Sequence, residues 1–193
     1  MALQQSDTPP PLSSQLNWPN KITLVRIFLV PLLLVFLISP DGWYPLVAAT
    51  IFLVAAFTDW LDGHLARSTN QITRLGQLLD PIADKILVTA ALVSLVGRQQ
   101  VPAQQVPAWM VVIIICRELA ITGLRAMAAD QHIIIAADVF GKYKMVCFFI
   151  ASFLLMLNLP GLDLPGMIVL TIGMMLSALS GVDYLRKYLT KVL

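Results

Sequence analysis

Apolar residues in this chain are gathered into six long runs, at about 22–38, 43–66, 76–97, 107–128, 141–158 and 165–187, separated by short polar or turn-forming stretches. That pattern leaves few folds open. A helix rises 1.5 Å per residue, so roughly 20 residues cross a ~30 Å hydrocarbon layer. With 58% hydrophobic and 12% charged residues among 193, and a mean hydropathy of +0.80, the chain lies outside the range of soluble globular domains. The expectation is an all-α polytopic membrane protein with six transmembrane helices and no internal repeat.

The breaks fall at Ser39 to Gly42, around Asn70, at Gly97 to Pro107, around Gln131 and at Pro160 to Pro165. Asn20 is placed to cap the first helix and Pro31 to bend it. Residues 1–17, rich in Gln, Ser and Pro, show no apolar periodicity and read as a flexible tail ahead of one membrane domain, 18–193. The tail has neither the basic start nor the small-residue cleavage pattern of a signal peptide, so the first helix is expected to be retained. Its one acidic residue, Asp7, and its lack of basic residues argue against a polybasic lipid anchor. Cys116 and Cys147 lie inside apolar runs, where packing is the expected role.

Orientation follows from the basic residues. With the N-terminus in the cytosol, Lys21, Arg26, Arg67, Arg74, Lys85, Arg117, Arg125, Lys142, Lys144, Arg186, Lys187 and Lys191 all fall toward the cytosolic side. Only Arg98 is left outside, twelve against one, and both termini are cytosolic. The net charge of +2 adds little, and no nucleic-acid partner is expected.

Against this apolar background the stretch from Asp59 to Asp84, DWLDGHLARSTNQITRLGQLLDPIAD, carries four aspartates. Asp59 and Asp62 are three apart and Asp80 and Asp84 four apart, so each pair projects from one face of its own helix. Asp59 lies 16 residues beyond Trp43, about 24 Å across the layer, which sets the cluster just below the cytosolic interface at headgroup depth. Four carboxylates that close cannot all ionise without compensation. An all-oxygen set favours Mg²⁺, Mn²⁺ or Ca²⁺ over Zn²⁺. His64 and His132 stand singly and read as interfacial polar residues. Gly63 and Gly76 would let a phosphate approach a helix, or simply allow close packing. Arg67 is placed to meet phosphate oxygens or to snorkel.

The spacing of Asp59, Asp62, Gly63, Ala66, Arg67, Gly76, Asp80 and Asp84 matches without a gap the signature of the CDP-alcohol phosphotransferase family, which the chain resembles over nearly everything after the tail. That resemblance implies two Mg²⁺ or Mn²⁺ ions on Asp59, Asp62 and Asp80, with Asp84 assisting metal binding or acting as general base. Asp80 and Asp84 are thus the expected catalytic pair. It also implies that Gly63, Ala66, Arg67 and Gly76 border the CDP moiety, and it suggests a homodimer among membrane lipids.

Arg117, Arg125, Lys142 and Lys144 add a basic cluster at the cytosolic mouth, larger than orientation requires. It suits a further anionic group. The segments WPNKITLVR, LLDPIADK, CRELAITGLR and GKYK resemble the bacterial, glycerol 3-phosphate-using branch of the family. This implies phosphatidyl transfer from CDP-diacylglycerol to that acceptor, in a bacterial cytoplasmic membrane with the site facing the cytosol. Met145 and Phe148 depart from the family's usual threonine and glutamine beside the expected acceptor pocket. Phosphatidylglycerol or inositol phosphate as acceptor, and a cation or proton transporter outside the family, are the competing readings; the transporter fits poorly with carboxylates so near one face.

Overall fold

A computed structural model describes residues 18–38, 42–69, 74–96, 106–131 and 139–192, with side chains for 23–38, 42–58, 82–96, 106–131 and 140–191. These residues form six helices: α1 (Trp18–Ile38), α2 (Tyr44–Thr69), α3 (Arg74–Val96), α4 (Ala108–Asp130), α5 (Val139–Met156) and α6 (Asp163–Val192). No strand occurs among them. Every helix end lies within five residues of the limits read from the apolar runs.

The differences have local causes. Helix α1 begins at Trp18, so Asn20 is inside it and is no cap; Pro19 occupies the first turn, where a missing N–H costs nothing. Pro31 lies mid-helix, where it cannot donate to the carbonyl of Ile27. Helix α6 outruns its apolar segment. Toward that end Tyr184 and Tyr188 are buried, four residues apart, and Lys187 pairs with Asp183 on the outer face.

Helix α1 packs on both α2 and α3, α5 packs along α6 and also meets α2 and α3, and α4 bridges α3 and α6. The core runs between them through Leu33, Phe52, Leu87, Leu92, Phe148, Met156 and Leu170. The α5–α6 hairpin is the tightest contact, and glycines make it so. A Cβ on Gly166 would lie 2.8 Å from Leu155, and one on Gly173 would lie 2.9 Å from Cys147 and 3.0 Å from the Phe148 ring. Small residues at such positions let two helix backbones approach closely. The connecting turn uses two left-handed residues, Asn158 (φ 53°) and Gly161 (φ 91°).

Cys147 packs as expected, but Cys116 is exposed on α4. It belongs to an apolar outer surface that includes Phe28, Ile38, Leu119, Leu164 and Val182. By length and composition one described helix, Asp163–Lys191, meets the requirement for a membrane span, with 29 residues at a mean hydropathy of 1.7. Thr23–Ile38 and Tyr44–Thr58 are shorter apolar stretches.

Candidate active site

Eight residues into α1, Arg26 enters the core almost completely, at 1% exposure. A guanidinium there needs partners, and it has them on both neighbouring helices. Nε donates to the carbonyl oxygen of Ala55 on α2 (3.2 Å), and Nη1 donates to Asp84 Oδ1 on α3 (3.0 Å). One side chain thus joins α1, the stretch of α2 leading to Asp59, and the last aspartate of the motif. The side chain of Asp84 is 25% exposed because its other side opens onto a cavity.

That cavity has a volume of about 300 Å³ and is walled by α3, α4, α5 and α6. Asp84 and Lys85 form one wall, Arg117, Glu118, Thr122 and Arg125 another, and Lys142, Lys144, Met145 and Ser180 close it. All four cations expected to meet the acceptor, Arg117, Arg125, Lys142 and Lys144, line it together. They converge because α4 arrives at this end with its C-terminal half while α5 starts there.

Glu118 sits among these cations. Its Oε1 accepts from Arg117 Nη1 (2.8 Å), from Lys144 Nζ and from Ser177 Oγ (3.4 Å). Its backbone carbonyl accepts from Thr122 Oγ1 (2.6 Å), which in turn accepts from Lys85 Nζ. Arg125 lies over the Tyr184 ring, 5.5 Å from its centroid, and Lys142 is exposed. The basic cluster is therefore of two kinds: cations pinned to Glu118, and cations at the rim.

Lys85, Glu118, Thr122 and Ser180 were not singled out from sequence as site residues. For Lys85 the signal was its place one residue after Asp84, masked by its use as an orientation charge. For Glu118 it was an acid deep in an apolar run flanked by basic residues. Met145 does line the cavity, but Phe148 is a core residue, 1% exposed, and its departure from the family pattern falls outside the pocket.

The helix bounds place Asp59, Asp62, Gly63, Ala66 and Arg67 in the C-terminal half of α2 and Gly76 and Asp80 in the first turns of α3. Their side chains, with that of His64, and all of His132 lie outside the described residues. Among the described residues no three metal-ligating side chains gather. Asp84 alone of the motif's carboxylates is described, and as a hard oxygen donor opening onto a polar cavity it fits the chemistry of a Mg²⁺ or Mn²⁺ site.

Comparison with known proteins bears directly on this arrangement. The CDP-alcohol phosphatidyltransferase family model matches residues 16–179. The CDP-diacylglycerol–glycerol-3-phosphate 3-phosphatidyltransferase of Bacillus subtilis (strain 168) is 43% identical over 157 residues, 75% of this chain and 79% of its own. The protein of the same name from Haemophilus influenzae (strain Rd) is 35% identical over 173 residues, 88% and 92% of the two chains. Its counterpart in Escherichia coli (strain K12) is 40% identical over 136 residues, 67% and 71%. The match takes in α1 to α5, most of α6 and every cation around the cavity, and the chain belongs to the CDP-alcohol phosphatidyltransferase family, as a phosphatidyltransferase enzyme.

Proposed function

We propose that the chain transfers the phosphatidyl group of CDP-diacylglycerol to the 1-hydroxyl of sn-glycerol 3-phosphate, giving phosphatidylglycerophosphate and CMP. The observation that carries this reading is a cavity in which Lys85, Arg117, Arg125, Lys142 and Lys144 surround a space beside Asp84. A hydroxylated phosphate monoester has its anion at one end and its nucleophile at the other. Such a molecule fits a pocket with cations on one wall and a carboxylate on the next. The relatives' names specify the same acceptor.

In this reading Asp59, Asp62 and Asp80, with Asp84, hold two divalent cations, Mg²⁺ or Mn²⁺. Bound there, such ions polarise the pyrophosphate and neutralise charge on the departing CMP. The chain's own residues do the rest. The cations of the cavity hold the acceptor phosphate, Asp84 takes the hydroxyl proton, the acceptor oxygen bonds to the phosphorus bearing diacylglycerol, and the bond from that phosphorus to CMP breaks. Gly63, Ala66, Arg67 and Gly76 border the nucleotide.

The setting that fits is a bacterial cytoplasmic membrane crossed by all six helices, the site facing the cytosol, with two copies of the chain associated among membrane lipids. Support for the depth comes from the far end of the bundle. There Phe36, Trp43 and Tyr44 cluster, with the last two stacked at 5.0 Å, as aromatic residues do at a membrane interface.

The test is CMP release by purified protein in detergent with CDP-diacylglycerol and Mg²⁺, comparing glycerol 3-phosphate, inositol phosphate, phosphatidylglycerol and serine as acceptors. Release is expected with glycerol 3-phosphate. Release with another acceptor alone overturns that assignment, and release with none reopens the transporter reading. Lys142→Ala should raise the acceptor KM about tenfold with kcat nearly unchanged, since a charge-assisted contact at an exposed position contributes about 1.5 kcal/mol to ground-state binding. An unaltered KM would remove Lys142 from the pocket.

A further inference from the structure

Arg117 and Lys144 are the most enclosed cations of the cavity, with side chains 13% and 7% exposed. Two buried positive charges side by side repel, and each has lost most of its water. Both are directed to one oxygen of Glu118, whose own side chain is 18% exposed. A third cation, Lys85, reaches the same residue through Thr122 and the Glu118 carbonyl. Helix α6 completes the seat. Ser177 donates to the same carboxylate oxygen, and Gly181 leaves room for Arg117, since a Cβ there would lie 3.0 Å from Arg117 Nε and 3.4 Å from Cγ. Arg117 Nε is buried without a hydrogen-bond partner among the described residues.

We propose that Glu118 is the positioning residue of the acceptor pocket, fixing Arg117 and Lys144 as a rigid cationic floor against which the phosphate is bound. The proposal rests on the acceptor reading above and adds the division of labour within it. Glu118 touches neither reacting atom. It removes one unit of repulsion between the two cations and holds each by one donor. Lys142 and Arg125, outside this network, supply the adjustable contacts at the rim. A preorganised floor binds without having to order two long side chains on each turnover.

The experiment measures CMP release at varied glycerol 3-phosphate and, separately, at varied CDP-diacylglycerol, for wild type, Glu118→Gln, Glu118→Ala and Gly181→Val. A positioning role predicts an acceptor KM raised roughly tenfold in Glu118→Gln, which keeps one acceptor oxygen, and further in Glu118→Ala. The CDP-diacylglycerol KM should stay within about twofold, because the donor is bordered by α2 and α3. Gly181→Val, which pushes Arg117 from its slot without changing charge, should raise the acceptor KM by about three- to tenfold. It carries the test alone if neither Glu118 variant accumulates as folded protein. An unchanged acceptor KM, or an equal rise in both constants, overturns the proposal. A mistaken acceptor is distinguishable, since the wild type would then show no turnover with glycerol 3-phosphate.

Discussion

Asp80→Asn is expected to lower phosphatidyl transfer on the order of a thousandfold while the protein still inserts and folds. The substitution removes one charge and almost no volume, so it gives no steric reason for collapse. Its cost falls on the charge balance of the site. Asp59, Asp62, Asp80 and Asp84 are proposed to hold two divalent cations, and a Lewis-acid site contributes several kcal/mol of transition-state stabilisation. Each ~1.36 kcal/mol is a factor of ten in rate, so losing about 4 kcal/mol gives the thousandfold. CMP release and the amount of protein in the membrane fraction should be measured on the same preparation. Activity like the wild type's from a normally inserted variant would remove Asp80 from the metal site. An equal fall in activity and inserted protein would make Asp80 a folding residue.

Much of the fold was legible because long apolar runs broken by turn-forming residues mark helices directly. Six such runs of about 20 residues stand in the sequence, so the six helices could be marked from hydropathy alone. Their ends were less certain where polar residues continue a helix past its apolar run, as Thr190 and Lys191 do in α6. The members of the basic cluster were legible too, since Arg117, Arg125, Lys142 and Lys144 exceed what orientation needs. Their internal arrangement was not. Nothing in the order of residues says that Lys144 on α5 and Ser177 on α6 meet Glu118 on α4, 26 and 59 positions away. Such pairings depend on which helices become neighbours, and hydropathy is silent about that. Arg26 is the sharpest case. Counted as one more cytosolic cation, it is a fully buried residue; the signal was its position eight residues inside α1, too deep for a charge without an acidic partner.

That burial makes Arg26 the residue whose loss should cost most stability. Arg26→Met keeps an apolar stem but removes both directed bonds, leaving the Ala55 carbonyl and the Asp84 carboxylate without the donor that joined them. Breaking a buried ion pair by removing one partner costs about 3–5 kcal/mol. Asp84 keeps a quarter of its exposure, so water offsets part of this and about 3 kcal/mol is the better figure. For a protein of this size that corresponds to a fall of about 6–12 °C in the unfolding midpoint. Activity should fall further than stability explains, because Arg26 also fixes the direction of Asp84 beside the cavity proposed to take the acceptor. Arg26→Lys separates the two effects: it restores a positive charge, but an ammonium lacks the planar fork that serves α2 and α3 at once. The lysine variant should therefore recover most of the midpoint while kcat at saturating substrates stays below the wild-type value at a temperature where both are folded. A lysine variant with full kcat would show that charge alone suffices. A methionine variant with an unchanged midpoint would show that the three-helix tie contributes nothing to stability, and that α1 is held by apolar packing through Val30, Leu33 and Leu37.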